Sequence, residues 1–147
     1  MFNFLKKKNE NKESENNTEL LSKTASLLIH AAKMDQKYSD EEKEITKKTM
    51  LELGCEDDSI DKMLIIAEKN ESDSNQILDF TREIKNTDDN FKTKLIEALW
   101  KIIFSDNKAD MYESSLMRRL AGLLYLDNKK VGDIKEQVRK KLNQWLI

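Results

Sequence analysis

Two stretches of this chain, 71 residues apart, carry the same helical pattern of apolar residues and end in the same acidic turn. The first reads Leu28-Ile29-His30-Ala31-Ala32-Lys33-Met34-Asp35, breaks at Gln36-Lys37-Tyr38, and resumes at Ser39-Asp40-Glu41-Glu42. The second reads Leu99-Trp100-Lys101-Ile102-Ile103-Phe104-Ser105-Asp106, breaks at Asn107-Lys108-Ala109, and resumes at Asp110-Met111-Tyr112-Glu113. Asp35 matches Asp106 and Glu42 matches Glu113. Beyond the turns, Ile45 meets Leu116, Leu53 meets Leu124, Ile60 meets Val131, Met63 meets Ile134 and Ala67 meets Val138. A helical unit that cannot bury its apolar face alone must pack against its copy. The repeat therefore predicts an all-α domain of about seven helices, built as two similar three-helix halves (about 18–70 and 88–141) with approximate two-fold symmetry.

Composition narrows the alternatives. The chain has no proline and three glycines in 147 residues, so β-turn punctuation is nearly absent. That length suits one domain burying roughly 68–70% of its unfolded surface. The 26 basic and 28 acidic residues balance to a net charge of −2, which gives no long-range attraction for nucleic acid. No apolar run approaches the roughly 18 residues of a membrane span. The lone Cys55 can form no internal disulfide, which suits a reducing cytoplasm, and following Gly54 it reads as a half-buried filler after a helix end.

Residues 1–17 include KKKNENKESENN, which lacks apolar side chains, so a disordered leader is expected before a domain over 18–147. Leu21, Ala25, Leu28 and Ala32 form the stripe of a first helix from about Thr18. A second starts at Ser39 and stops at Gly54, and a short third carries Ile60, Met63, Leu64 and Ala67. The polar Asn70–Ser74 stretch reads as a loop. A connecting helix carries Ile77, Phe80 and Ile84. The second half follows from Asp88.

The glutamates have a simple structural account. Ser39 and Glu42 make a capping box, and Asp110 with Glu113 reads the same way. The aspartates do not. Asp35 continues the stripe Leu28, Ala32, and Asp106 continues Leu99, Ile103, so both carboxylates stand at helix C-termini, where the dipole disfavours them by about 0.3–1 kcal/mol. The turn N–H groups, Arg118 or Arg119, or a cation would compensate. Asp35, Glu42, Asp106, Asp110 and Glu113 are the candidate metal ligands, because carboxylate oxygens suit Ca²⁺ or Mg²⁺. Neither turn is an EF-hand loop: its third and twelfth positions fall on Lys37 and Thr46, or on Lys108 and Met117.

This doubled pattern, carried by Leu28, Ala32, Asp35 and Glu42 and then by Leu99, Asp106 and Glu113, resembles the tellurite-resistance TerB-like family. The similarity covers about residues 20–145 and includes Arg118–Leu124. The resemblance implies an all-helical fold of two similar halves and an acidic cluster proposed to bind divalent cations. It also implies a role in metal or oxyanion stress near the inner face of the membrane. The glycine usual after each aspartate is Gln36 or Asn107 here, which makes the second turn the better formed of the two.

Other residues read blandly. His30 falls on a polar stripe with Lys23, Ser26, Lys33 and Lys37, and Leu27 occupies the glutamate position that a di-iron Glu-x-x-His motif needs. Lys129, Lys130, Lys135, Arg139, Lys140 and Lys141 read as a solvated helix face. Trp100 is a core residue and Trp145 an exposed contact. Phe2, Phe4 and Leu5 before three lysines could touch an anionic membrane surface, although so short a segment anchors nothing alone. The expected protein is cytoplasmic, peripheral to the inner membrane at most, has no catalytic residues and works with other proteins. The alternative is a purely structural adaptor whose carboxylates only cap helices.

Overall fold

The computed structural model describes the backbone of residues 2–35, 38–74, 76–105 and 111–145, and side chains over 17–34, 38–74, 76–105 and 115–142. Among the described residues the fold is all-α, with seven α-helices and no strand. They are α1 (Phe2–Ala32), α2 (Asp40–Glu52), α3 (Ile60–Asp73), α4 (Ile77–Ile84), α5 (Asp89–Ser105), α6 (Met111–Leu123) and α7 (Asn128–Trp145). A 3₁₀ turn, Lys33–Asp35, closes α1.

α1 and α5 form the centre. Leu27, Leu28, Ile29 and Ala32 on α1 are fully buried, as are Leu95, Ile96 and Leu99 on α5. A helix buried on more than one side must be covered by several neighbours. α1 packs on α3, α4 and α5, while α5 also carries α2 and α7. Five matched pairs share this burial: Leu28 with Leu99, Ala32 with Ile103, Ile60 with Val131, Met63 with Ile134 and Ala67 with Val138. Ile45 and Leu53, by contrast, are half-buried, whereas their matches Leu116 and Leu124 lie in the core.

The repeat is visible again in the caps. At the end of α2 the Gly54 N–H donates to Leu51 O (3.2 Å) and the Cys55 N–H to Met50 O (3.0 Å). At the end of α6 the Tyr125 N–H donates to Gly122 O (3.3 Å) and the Leu126 N–H to Ala121 O (2.8 Å). Both are Schellman caps, which require a left-handed residue at C′. Gly54 supplies it with φ 112° and Tyr125 with φ 57°.

Two expectations change. α1 begins at Phe2 rather than near Thr18, so helical backbone replaces the expected disordered leader. The segment holds no glycine or proline, and a helix already anchored at Leu21–Ala32 extends without a new nucleation cost. α3 runs on to Asp73, through the stretch read as a polar loop, because Glu71 continues the buried stripe Ile60, Met63, Ala67 and is itself buried. One helix, α7, covers the C-terminal apolar set, and Trp100 is core as expected.

Candidate functional site

The first acidic turn begins where α1 tightens into the 3₁₀ turn ending on Asp35, and closes where Ser39 opens α2. Ser39 has extended backbone (φ −72°, ψ 163°), so its side chain can fold back over the first turn of α2. The Ser39 N–H donates to Glu42 Oε1 at 2.9 Å, and the Glu42 N–H donates to Ser39 Oγ at 3.2 Å. This is the predicted capping box. It holds a carboxylate that is only 1% exposed. Thr46 Oγ1 donates to Glu42 O (2.9 Å), and Lys43 Nζ stands 5.2 Å from the Tyr38 ring centroid. The Tyr38 hydroxyl is pushed up to about 12, chiefly by burial, with Glu68 and Glu42 adding to the rise and a hydrogen bond with Thr46 opposing it. The turn is thus locally acidic and partly dry.

The far side of the same turn is held by a charge cluster that sequence reasoning missed. Glu71, 5% exposed, receives Lys33 Nζ at 2.8 Å on Oε2, and His30 Nδ1 lies 3.4 Å from Oε1. Lys33 belongs to the 3₁₀ turn, so this ion pair ties the Asp35 segment to α3. His30 also faces the buried Phe80 ring at 6.1 Å, and Ser26 is fully buried, donating to Ala67 O at 3.0 Å. Ser26, His30 and Lys33 of the polar stripe therefore form an α1–α3 contact. The available signal was Glu71 standing four residues after Ala67.

Among the five candidate metal ligands, Glu42 alone has a described side chain. Asp35 is described as backbone at the end of its turn, Glu113 as backbone on α6, and Asp106 and Asp110 lie outside the described residues. No group of three or more His, Cys, Asp and Glu suited to a metal ion occurs among the described residues. Arg118 and Arg119, named above as possible counterions, are both exposed on α6.

The remaining chemistry-bearing residues have structural work. Burial, then Glu56 and Asp57, raises the Cys55 thiol, which opposes thiolate reactivity. Trp100 Nε1 donates to Val131 O at 3.1 Å; Lys135 lies over Trp100 (5.1 Å) and Arg139 over Phe104 (5.5 Å). Part of the basic C-terminal stretch is thus engaged with rings on α5. A cleft of about 340 Å³ between α1, α3 and α4 is lined by Glu19, Lys23, Asp73, Arg82 and Glu83 among others. Burial and a hydrogen bond with Glu19 raise the Glu83 carboxyl.

Among the described residues no helix is long and apolar enough to cross a membrane. The family model described as tellurite resistance protein TerB matches residues 21–136, from within α1 to within α7. No curated protein and no solved structure matches the chain.

Proposed function

The chain belongs to the tellurite-resistance TerB family, and from that premise we propose a non-enzymatic binding module that takes up a divalent cation at its acidic inter-helix turns. One observation carries the reading: the Glu42 carboxylate is held 1% exposed at a turn that begins on Asp35. The same Asp–Glu spacing recurs at Asp106 and Glu113. Asp35, Glu42, Asp106, Asp110 and Glu113 would hold the ion. An all-carboxylate set fits a hard cation such as Ca²⁺ or Mg²⁺ and offers none of the nitrogen or sulfur ligands that zinc favours. The cation would supply the positive charge that lets these oxygens approach one another.

The non-enzymatic part rests on the described titratable groups. His30 is tied to Glu71, and Cys55 has a raised thiol. Neither stands as a nucleophile beside a base. We place the protein in the cytoplasm or at the inner membrane surface, working with other proteins. The reciprocal Ser39–Glu42 capping box favours a second reading, in which the carboxylates only cap helices and the domain is a structural adaptor.

Calorimetric titration with Ca²⁺, Mg²⁺ and Zn²⁺ separates the two. Saturable binding in the wild type that is lost in Asp35→Asn/Asp106→Asn is the expected result. Absence of saturation at ~1 mM metal, the weak end of protein calcium sites, sinks the cation reading and leaves the adaptor.

A further inference from the structure

The outer face of α2 carries Glu41, Glu44, Ile45, Lys48 and Leu51 on one stripe, at successive spacings of three, one, three and three residues. Together with Lys47 these side chains line an open groove of about 510 Å³. Ile45 and Leu51 are half-buried and form its apolar floor, while Glu41, Glu44 and Lys48 stand exposed on its rim. Among the described residues none of these three rim charges joins an ion pair within the chain; Lys47 reaches only the exposed Asp61, at 3.6 Å.

The order of the charges matters more than their number. The N-terminal half of the groove is acidic (Glu41, Glu44) and the C-terminal half basic (Lys47, Lys48), so these four charges sum to zero. Laid antiparallel on a second copy of itself, the stripe sets Glu41 opposite Lys48 and Glu44 opposite Lys47. Both pairings are centred within half a residue of Ile45. A two-fold interface uses the same patch on both subunits and must be self-complementary. This patch is self-complementary in charge, with the half-buried Ile45 at its centre and the charges on either side of it.

We propose that α2 is a homodimer contact, packing antiparallel on α2 of a second copy about a two-fold axis beside Ile45. The four interhelical Glu–Lys pairs fix the antiparallel register, as rim charges set orientation more than affinity. One helix pair buries an area at or below the small end of specific interfaces, ~1,200 Å², so association is weak and concentration-dependent. The competing account leaves the same charges to pair along α2 itself, as Glu44 with Lys48 at i,i+4, and requires no partner.

Sedimentation equilibrium of the full chain distinguishes them, using an acidic variant, Lys47→Glu/Lys48→Glu, and a basic variant, Glu41→Lys/Glu44→Lys. The wild type should dimerise reversibly below ~1 mM protein. Each variant alone, facing four like-charge pairs, should dimerise roughly tenfold more weakly or worse. An equimolar mixture of the two restores four Glu–Lys pairs and should associate at least as tightly as the wild type. Circular dichroism of each variant confirms its helical content. If a variant fails to fold, the salt dependence of the wild type still decides: association should weaken between ~0.05 and ~0.5 M salt. A wild type that stays monomeric, reversals that leave association unchanged, a mixture no tighter than its components, or salt-independent association each overturns the proposal.

Discussion

Tyr125 is the least comfortable residue in the fold, and replacing it should stabilise the protein. It occupies the C′ position of the α6 Schellman cap with φ 57°, where an L-residue with a side chain carries about 1–2 kcal/mol of steric strain. Its ring returns little, since the residue is 72% exposed. Tyr125→Gly removes the strain and restores about 0.5–1 kcal/mol of chain entropy to the unfolded state. The net expectation is a stabilisation of about 0.5–1 kcal/mol. For a chain of this size that corresponds to a rise in Tm of ~1–4 °C. The repeat supplies the matched control. Gly54 occupies the same position in the α2 cap with φ 112°, and a Cβ there would meet no atom within 4 Å. Gly54→Ala therefore tests backbone strain without a packing change, and should cost about 1–2 kcal/mol. Thermal unfolding by circular dichroism, with a denaturant titration to confirm an unchanged m-value, measures both. A Tyr125→Gly protein less stable than the wild type would refute the strain account and show that the aromatic ring holds the α6–α7 turn.

Two further outcomes follow from the first acidic turn. Glu71→Gln removes the charge that anchors Lys33 and leaves an amide at a buried position; because the Lys33 side chain is 37% exposed and can rehydrate, the loss should be about 1–2 kcal/mol rather than the full penalty of breaking a dry ion pair. A denaturant midpoint that moves by less than the equivalent of ~0.5 kcal/mol would show that the pair does not secure the turn. For Tyr38, the folded state keeps the phenol proton to about 12 whereas the unfolded chain releases it near 10.0. Its stabilising contribution is thus complete below the lower value and is lost as pH rises through the higher one. Tyr38→Phe should flatten that alkaline decline, read as stability against pH alongside tyrosinate absorbance; an unchanged slope would show that other groups control it.

Local chemistry was the legible part of this fold. The stripes of α1, α5 and α7 announce themselves because apolar residues at three- and four-residue spacing have few other uses. Ser39-x-x-Glu42 is a reciprocal hydrogen-bond device complete within four residues, so its geometry could be read before any tertiary contact was known. Glu71 fails that test. Its neighbours Asn70, Ser72 and Asp73 are polar, and its partners Lys33 and His30 stand 38 and 41 residues away on α1. Propensity and pattern see only the segment, and a carboxylate with no visible partner reads as solvent-facing. The same blindness hides the contact of His30, since its partner Glu71 falls in the stretch that reads as a loop. The leader misled for a different reason: its polarity argues against burial, yet burial is unnecessary where a helix merely extends from an anchored one.

These differences change what the acidic turn is. From the residues alone Asp35 is a disfavoured charge at a helix C-terminus, with the turn N–H groups, Arg118 or Arg119, or a cation to compensate it. In the fold that helix end is fastened by Lys33 to Glu71 on α3, and beyond the turn α2 opens on the Ser39–Glu42 box. The Lys33–Glu71 clamp on one side and the Ser39–Glu42 box on the other would leave an ion binding between them less backbone to order. The clamp also separates stability from binding. Glu71→Gln should loosen the turn and weaken cation uptake together, whereas Asp35→Asn should lower cation affinity at nearly unchanged apo stability. Opposite behaviour, with Asp35→Asn destabilising the metal-free protein and leaving binding intact, would mean that Asp35 serves the helix end and the cation is held elsewhere.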